Sequence, residues 1–225
     1  MQDRVYLLNL EELLDSDDSS LVQSVDARLD SHRLEKVSRI QGRTARAASR
    51  GAGLLLQKAV AERKLTAAFL RRFTVSELLA EMTEENYPLS LNYRYGAHGK
   101  PYLKDIPVQF SISHSGTYVL CAVSEREIGA DLQKMEEGKR LHQIAERFFS
   151  DEEKRFLADC AGEDLVKNFY QLWTKKEALG KLTGEGIFTG LITEAVSARN
   201  DIEWLDPPAP EGYALSICRK KSIIS

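Results

Sequence analysis

QFSISHSGTYVLCAVSEREIGADLQK, residues 109–134, is the stretch from which the fold is read. Phe110 and Ile112 alternate with polar residues, YVLCAV (118–123) is a β-rich apolar run, and His-Ser-Gly (114–116) lies between them, so the segment reads as a hairpin. IGADL (128–132) follows as another short strand. Upstream, VYLLNL (5–10) reads as a first strand and residues 26–63 as helix, with Leu34, Val37 and Ile40 at helical intervals and GLLLQKAVAERK continuing the pattern. Residues 66–72 and 74–83 read as short helices, the second opened by Thr74 with Glu77 three residues on; 87–103 reads as short strands and turns. Downstream, Ser150 and Glu153 form a capping-box signature, a longer helix covers 163–182, and LITEAVSAR (191–199) and YALSICRK (213–220) read as strands around the proline-rich loop 206–210. Strand, helices and hairpin therefore occur twice, over about 5–125 and about 126–220.

The chain has 225 residues, 43% hydrophobic and 29% charged, with a net charge of −3, the profile of an ordinary soluble globular protein. Nothing global calls for nucleic acid or a membrane as partner. Cys121, Cys160 and Cys218 are far apart and odd in number, which argues against a disulfide framework or a zinc site and fits a reducing cytoplasm. The start lacks a signal-peptide pattern, and no apolar run is long enough to span a bilayer.

Three segments carry chemistry: HGKPYL with FSISHSG (98–103 and 110–116), IGADLQ (128–133) and FYQLWTKKEALGKLTGEGI (169–187). Asp131 ends a short apolar strand, where an unpaired carboxylate is costly. Trp173, Glu177 and Lys181 are four apart and share a helix face; taken alone, Glu177 and Lys181 are an ordinary surface pair worth about 0.2–0.5 kcal/mol. Gly184 and Gly186 after this helix are explained as well by a helix C-cap as by a binding loop. Ser113 beside His114 lacks a GxSxG elbow, and neighbours on a strand point oppositely, which disfavours a hydrolase triad. Arg33, Lys36, Arg39, Arg43, Arg46 and Arg50 follow one another at helical intervals as one basic face, with no acidic residue between Glu35 and Glu62. An acidic chain without interleaved aromatics does not read as a nucleic-acid binder.

Gly-Lys-Pro (99–101), Ser-His-Ser (113–115), Gly-x-Asp (129–131) and Trp-x-x-Lys-Glu-Ala (173–178) with Lys181, in this order and spacing, resemble the Sfp-type 4'-phosphopantetheinyl transferases. The resemblance covers about 98–187 well and implies an α+β fold, a pseudo-dimer of two similar halves, each a small, mostly antiparallel sheet packed with helices. It implies an N-terminal half, 1–125, with the coenzyme A nucleotide contacts and a C-terminal half, 126–225, with the metal and catalytic residues. The implied reaction moves the phosphopantetheine arm of coenzyme A onto a serine of an apo carrier protein of peptide synthetase, polyketide synthase or fatty acid type. Asp131 and Glu177 fall on metal-binding carboxylates, Glu177 being also the general base and Lys181 a phosphate-facing lysine; magnesium is the expected ion, with manganese as a substitute. Lys100, Pro101, Ser113 and His114 are expected to contact coenzyme A, with Arg46 and Arg50; Arg39 and Arg43 are expected to steer the acidic carrier. Lys176 either contacts phosphate or is solvated. Many members carry a third carboxylate where this chain has Gln133, which is expected to coordinate directly or through water and to weaken magnesium binding. A monomeric cytoplasmic enzyme is expected; the alternative is a non-catalytic coenzyme A- or carrier-binding module with the same fold.

Overall fold

The apolar runs at 5–10, 118–123 and 213–220 become inner strands of two separate sheets, and the alternating run at 109–115 an edge strand. The computed structural model describes residues 3–15, 19–62, 70–83, 85–138, 141–184, 195–205 and 207–221. The chain divides into two units, one of Met1–Arg94 with Pro101–Glu125, the other of Tyr95–Lys100 with Arg126–Ser225.

The first unit runs through β1 (Arg4–Asn9), α1 (Glu11–Asp15), α2 (Ser19–Asp26), α3 (Ser31–Arg39), α4 (Arg43–Ala61), β2 (Leu70–Phe73) and α5 (Val75–Glu81). A small pair, β3 (Tyr93–Tyr95) and β4 (Pro101–Leu103), precedes the hairpin of β5 (Gln109–Ser115) and β6 (Tyr118–Ser124). The main sheet has the order β2-β1-β6-β5, antiparallel except where β1 and β2 pair in parallel. Helix α4 packs on β6 and β1, and its leucines Leu54, Leu55 and Leu56 are fully buried in the core. The β5–β6 hairpin closes at Ser115 opposite Tyr118, so His114 lies in the strand and the turn is Gly116-Thr117. Gly116 has φ +54°, the positive value required at the first position of a II′ turn.

The second unit runs through β7 (Ile128–Lys134), α6 (Leu141–Phe148), α7 (Asp151–Ala158), α8 (Gly162–Thr183), a 3-10 turn at Val196–Ala198, β8 (Ile202–Leu205) and β9 (Tyr213–Lys220). Its antiparallel sheet has the order β7-β9-β8, and α8 packs across β7 and β9. Helix α7 carries the expected capping box of Ser150 and Glu153, and α5 the one of Thr74 and Glu77.

Several expectations need correction. Residues 26–63 are not one helix: Asp30 caps α3 by accepting from Arg33 N–H, and Gly42, at φ +87°, separates α3 from α4. The helix expected at 66–72 gives way at Leu70–Phe73 to β2, because pairing along β1 overrides local preference; 63–69 lie outside the described residues. Val196–Ala198 is a 3-10 turn rather than strand, and 191–194 lie outside the described residues. Strand β8 has four residues, too few to show a period in sequence.

Gly129 sets the spacing between β7 and α8. A Cβ placed there would lie 1.9 Å from the Ala178 carbonyl oxygen and 2.6 Å from the Leu182 nitrogen, both backbone atoms that cannot swing aside. Gly129→Ala is therefore expected to destabilise the protein by about 3 kcal/mol or more, read as a lower urea midpoint with an unchanged m-value.

Candidate active site

The face of β7 that carries Gly129 also carries Asp131 and Gln133, since residues two apart on a strand point the same way. Asp131 is 1% exposed. Its carboxylate accepts from the Lys181 ammonium at 2.7 Å through one oxygen and from the Gln133 amide at 3.3 Å through the other. Lys181 comes from the last turn of α8, where a cation also complements the helix dipole. Glu177, one turn earlier, has its carboxyl pushed up to about 7, first by burial and then by the negative charge of Asp131, with Lys181 partly offsetting both. The structure thus brings Asp131, Gln133, Glu177 and Lys181 to one place in the second unit.

Behind this group lies a polar layer that sequence reading missed. Ser216 pairs with Asp131 across β7 and β9, its hydroxyl lies 2.8 Å from that of Thr174, and Gln171 donates to it at 3.2 Å. Thr174 and Ser216 are fully buried. Gln171 and Thr174 stand two turns and one turn before Ala178 on α8, the spacing that could have announced a polar stripe facing the sheet.

Lys100 directs its ammonium at backbone carbonyls, Leu182 at 2.9 Å and Ile128 at 3.4 Å, while its stem lies over Gly184. Leu182 is among the last four residues of α8, whose carbonyls have no partner within the helix, so Lys100 serves as a C-terminal donor. Burial lowers the affinity of Lys100 for its proton. Gly184, at φ +80°, is the left-handed C-cap of α8; Gly186 lies outside the described residues. Lys176 neither faces an open site nor is solvated: it is 5% exposed and pairs with Glu153 at 2.8 Å. Trp173 is taken into an aromatic cluster, stacked on Phe169 at 6.1 Å and edge-on to Phe148 at 5.6 Å.

In the first unit, Ser113 is buried and the adjacent His114 exposed on opposite faces of β5, and Pro101 opens β4. The basic stripe is split between α3 and α4 by the break at Gly42, so it is not one continuous helix face. Arg33 is buried, Arg39 pairs with Glu35, and Arg50 makes a two-pronged pair with Asp26 at 2.8 and 3.0 Å. Arg50, expected to bind coenzyme A, ties α4 to α2 through this pair. Arg43 and Arg46 are exposed at the start of α4.

The donor set suits a hard cation. Two carboxylates and the Gln133 amide offer oxygen atoms, and the proton affinity of Glu177 is raised first by burial and then by the charge of Asp131. The described residues hold no group of three or more His, Cys, Asp or Glu placed for a metal, which leaves two carboxylates, enough for an ion that keeps several waters.

Comparison with known proteins bears on this arrangement. The profile of the 4'-phosphopantetheinyl transferase superfamily matches residues 127–218, the segment holding Asp131, Gln133, Glu177 and Lys181. A 4'-phosphopantetheinyl transferase of Bacillus pumilus is 31% identical over 183 residues, 73% of this chain and 78% of that protein. The chain belongs to the 4'-phosphopantetheinyl transferase superfamily. Within the family, a 4'-phosphopantetheinyl transferase of Bacillus subtilis is 34% identical over 145 residues, 58% of this chain and 64% of that protein. A Synechocystis sp. relative is 45% identical over 108 residues, 46% of this chain. The chain spans only 44% of that protein's length, and under two thirds of the Bacillus subtilis relative.

The position of Glu177 has a consequence for stability in the ligand-free protein. Its carboxyl holds a proton more tightly folded, up to about 7, than its ordinary value of 4.5. The stabilising contribution is complete below the unfolded value and is lost as pH rises through the folded one. The melting temperature of the wild type, relative to Glu177→Gln, should fall between those two pH values and run parallel above them.

Proposed function

We propose that the chain transfers the 4'-phosphopantetheine group of coenzyme A to a serine hydroxyl of an apo carrier protein, releasing adenosine 3',5'-bisphosphate. The observation that carries this reading is the convergence of Asp131, Glu177 and Lys181 in the segment matched by the family profile. Asp131 and Glu177, with Gln133 directly or through water, would hold a magnesium ion, which when bound neutralises charge on the diphosphate. The serine oxygen attacks the β-phosphorus, and the bond from that phosphorus to the bridging oxygen breaks, leaving the pair of electrons on the nucleotide bisphosphate.

Glu177 suits the role of base. A carboxylate with a proton affinity near 7 is available at neutral pH and still strong enough to take the serine proton as the new bond forms. The ammonium of Lys181 has three donors and spends one on Asp131, which leaves others for a phosphate oxygen. Catalysis in such a transfer is mainly positioning and electrostatic stabilisation, for which a half-exposed cation already held by a buried carboxylate is suited. The exposed Arg43 and Arg46 on α4 would favour the phosphates of coenzyme A or an acidic carrier, with His114 a further candidate for phosphate contact. Among the described residues no helix is long and apolar enough to cross a membrane, and a cytoplasmic, monomeric enzyme is the working form of this reading.

The protein incubated with coenzyme A, Mg²⁺ and a panel of apo acyl and peptidyl carrier domains should add one phosphopantetheine to at least one carrier, seen as a mass gain on the intact carrier. Coenzyme A binding without any gain would sink the enzyme reading in favour of a binding module. Asp131→Ala and Glu177→Ala should each lower kcat/KM by about a thousandfold or more. Gln133→Glu, which adds a carboxylate beside Asp131, should lower the Mg²⁺ concentration for half-maximal rate; an unchanged Mg²⁺ dependence would show that residue 133 stands outside the ion's shell.

A further inference from the structure

We infer that the buried ion pair of Glu153 and Lys176 is the positioning device that fixes the rotation of α8, and so aims Glu177 and Lys181 at Asp131. This rests on the transfer reading above for its catalytic consequence, and on geometry for the rest.

Glu153 is 5% exposed, as is Lys176, and the two meet at 2.8 Å. The carboxylate is shared by three elements. One oxygen accepts from Lys176 and from the Ser150 backbone N–H at 2.8 Å, closing the capping box at the start of α7. The other accepts from the Val196 N–H at 3.0 Å, in the 3-10 turn before β8. The Lys176 ammonium also lies over the Phe149 ring, 5.7 Å from its centre, in the segment joining α6 to α7. One carboxylate thus pins α8 to α7 and to the 3-10 turn.

Stability alone does not account for such a pair. Removing two charges from water is costly, and well-packed apolar residues of similar volume usually hold a fold as well or better. What an ion pair adds is direction: Lys176 reaches its partner only at one rotation of α8. Lys176 and Glu177 are consecutive, about 100° apart around the axis, so anchoring the first sets the bearing of the second. Gly129 fixes the depth at which α8 sits on β7, and Glu153 fixes its turn about its own axis. Both are needed for Glu177 to feel the charge of Asp131 and for Lys181 to reach it.

The test pairs a neutral replacement with a conservative one. In Glu153→Gln with Lys176→Met, the amide oxygen of residue 153 keeps one of the two backbone N–H bonds the carboxylate accepts and loses the other, the thioether fills the lysine stem's volume, and no buried charge is left alone. This double variant should keep the wild-type circular dichroism and a cooperative melt, yet lose roughly tenfold to a hundredfold in kcat, with KM for coenzyme A within about twofold. Amide exchange in peptides covering 173–183 should quicken, and exchange in 109–124 should not change. Lys176→Arg, which keeps the pair, should retain most of kcat, and Lys167→Ala, which removes only an exposed pair on the same helix, all of it. A folded double variant with wild-type kcat, or unchanged exchange over 173–183, overturns the inference. Should the double variant not fold, Lys176→Arg and Lys176→Met decide: equal kcat in the two overturns it, and loss in the second alone supports it. If the wild type modifies no carrier, the transfer reading falls by itself and amide exchange alone judges the positioning role.

Discussion

A carboxylate taken almost wholly out of water must find compensation or lose its charge, and Asp131 is such a group. Its compensation is the Lys181 ammonium, delivered by a helix that can approach only because residue 129 has no side chain. From this one pairing much of the second unit follows: the polar layer of Ser216, Thr174 and Gln171 beneath it, the position of Glu177 beside it, and the close seating of α8 on β7 and β9. Glu177, drawn out of water beside it, holds its proton more tightly than a free carboxyl, first because of burial and then because of the charge on Asp131.

Charge balance separates this cluster from a half-buried one. In the first unit, Lys58 bridges Glu62 and Glu81, and Arg71 pairs with the same two acids. Among the described residues two cations face two anions, and the set ties the end of α4 to β2 and α5. The raised proton affinity of Lys58 has its counterweight in the lowered one of Glu81, as in a closed structural network. Around Asp131, two carboxylates and one lysine meet among the described residues. The Glu153–Lys176 pair is balanced again, in keeping with a role in placement and not in reaction.

The strands with clear alternation or long apolar runs were legible in the sequence: β1, β5, β6, β7 and β9 all fall where the pattern puts them. So were the two capping boxes, whose chemistry is local. What was illegible depends on contacts between distant residues. The helical periodicity across 26–63 hid the break at Gly42, because a spacing of apolar residues continues through a gap of the right length. LRRF (70–73) became a strand only by pairing with β1. At the site, Asp131, Glu177 and Lys181 stood out through their motifs, whereas Lys100 gave no hint in sequence that its ammonium would be spent on the carbonyls of Leu182 and Ile128. Nor could the spacing of basic residues show that Arg50 would be claimed by Asp26.

The chain is also interleaved in a way that limits how it can be dissected. Residues Tyr95–Lys100 group with the second unit, although the residues on either side of them belong to the first. A fragment cut at Arg126 would hold every strand and helix of the second unit yet lack the lysine that satisfies the end of its longest helix. Expression of that half alone, or its grafting into a chimaera, would have to carry a six-residue loop borrowed from the middle of the other half.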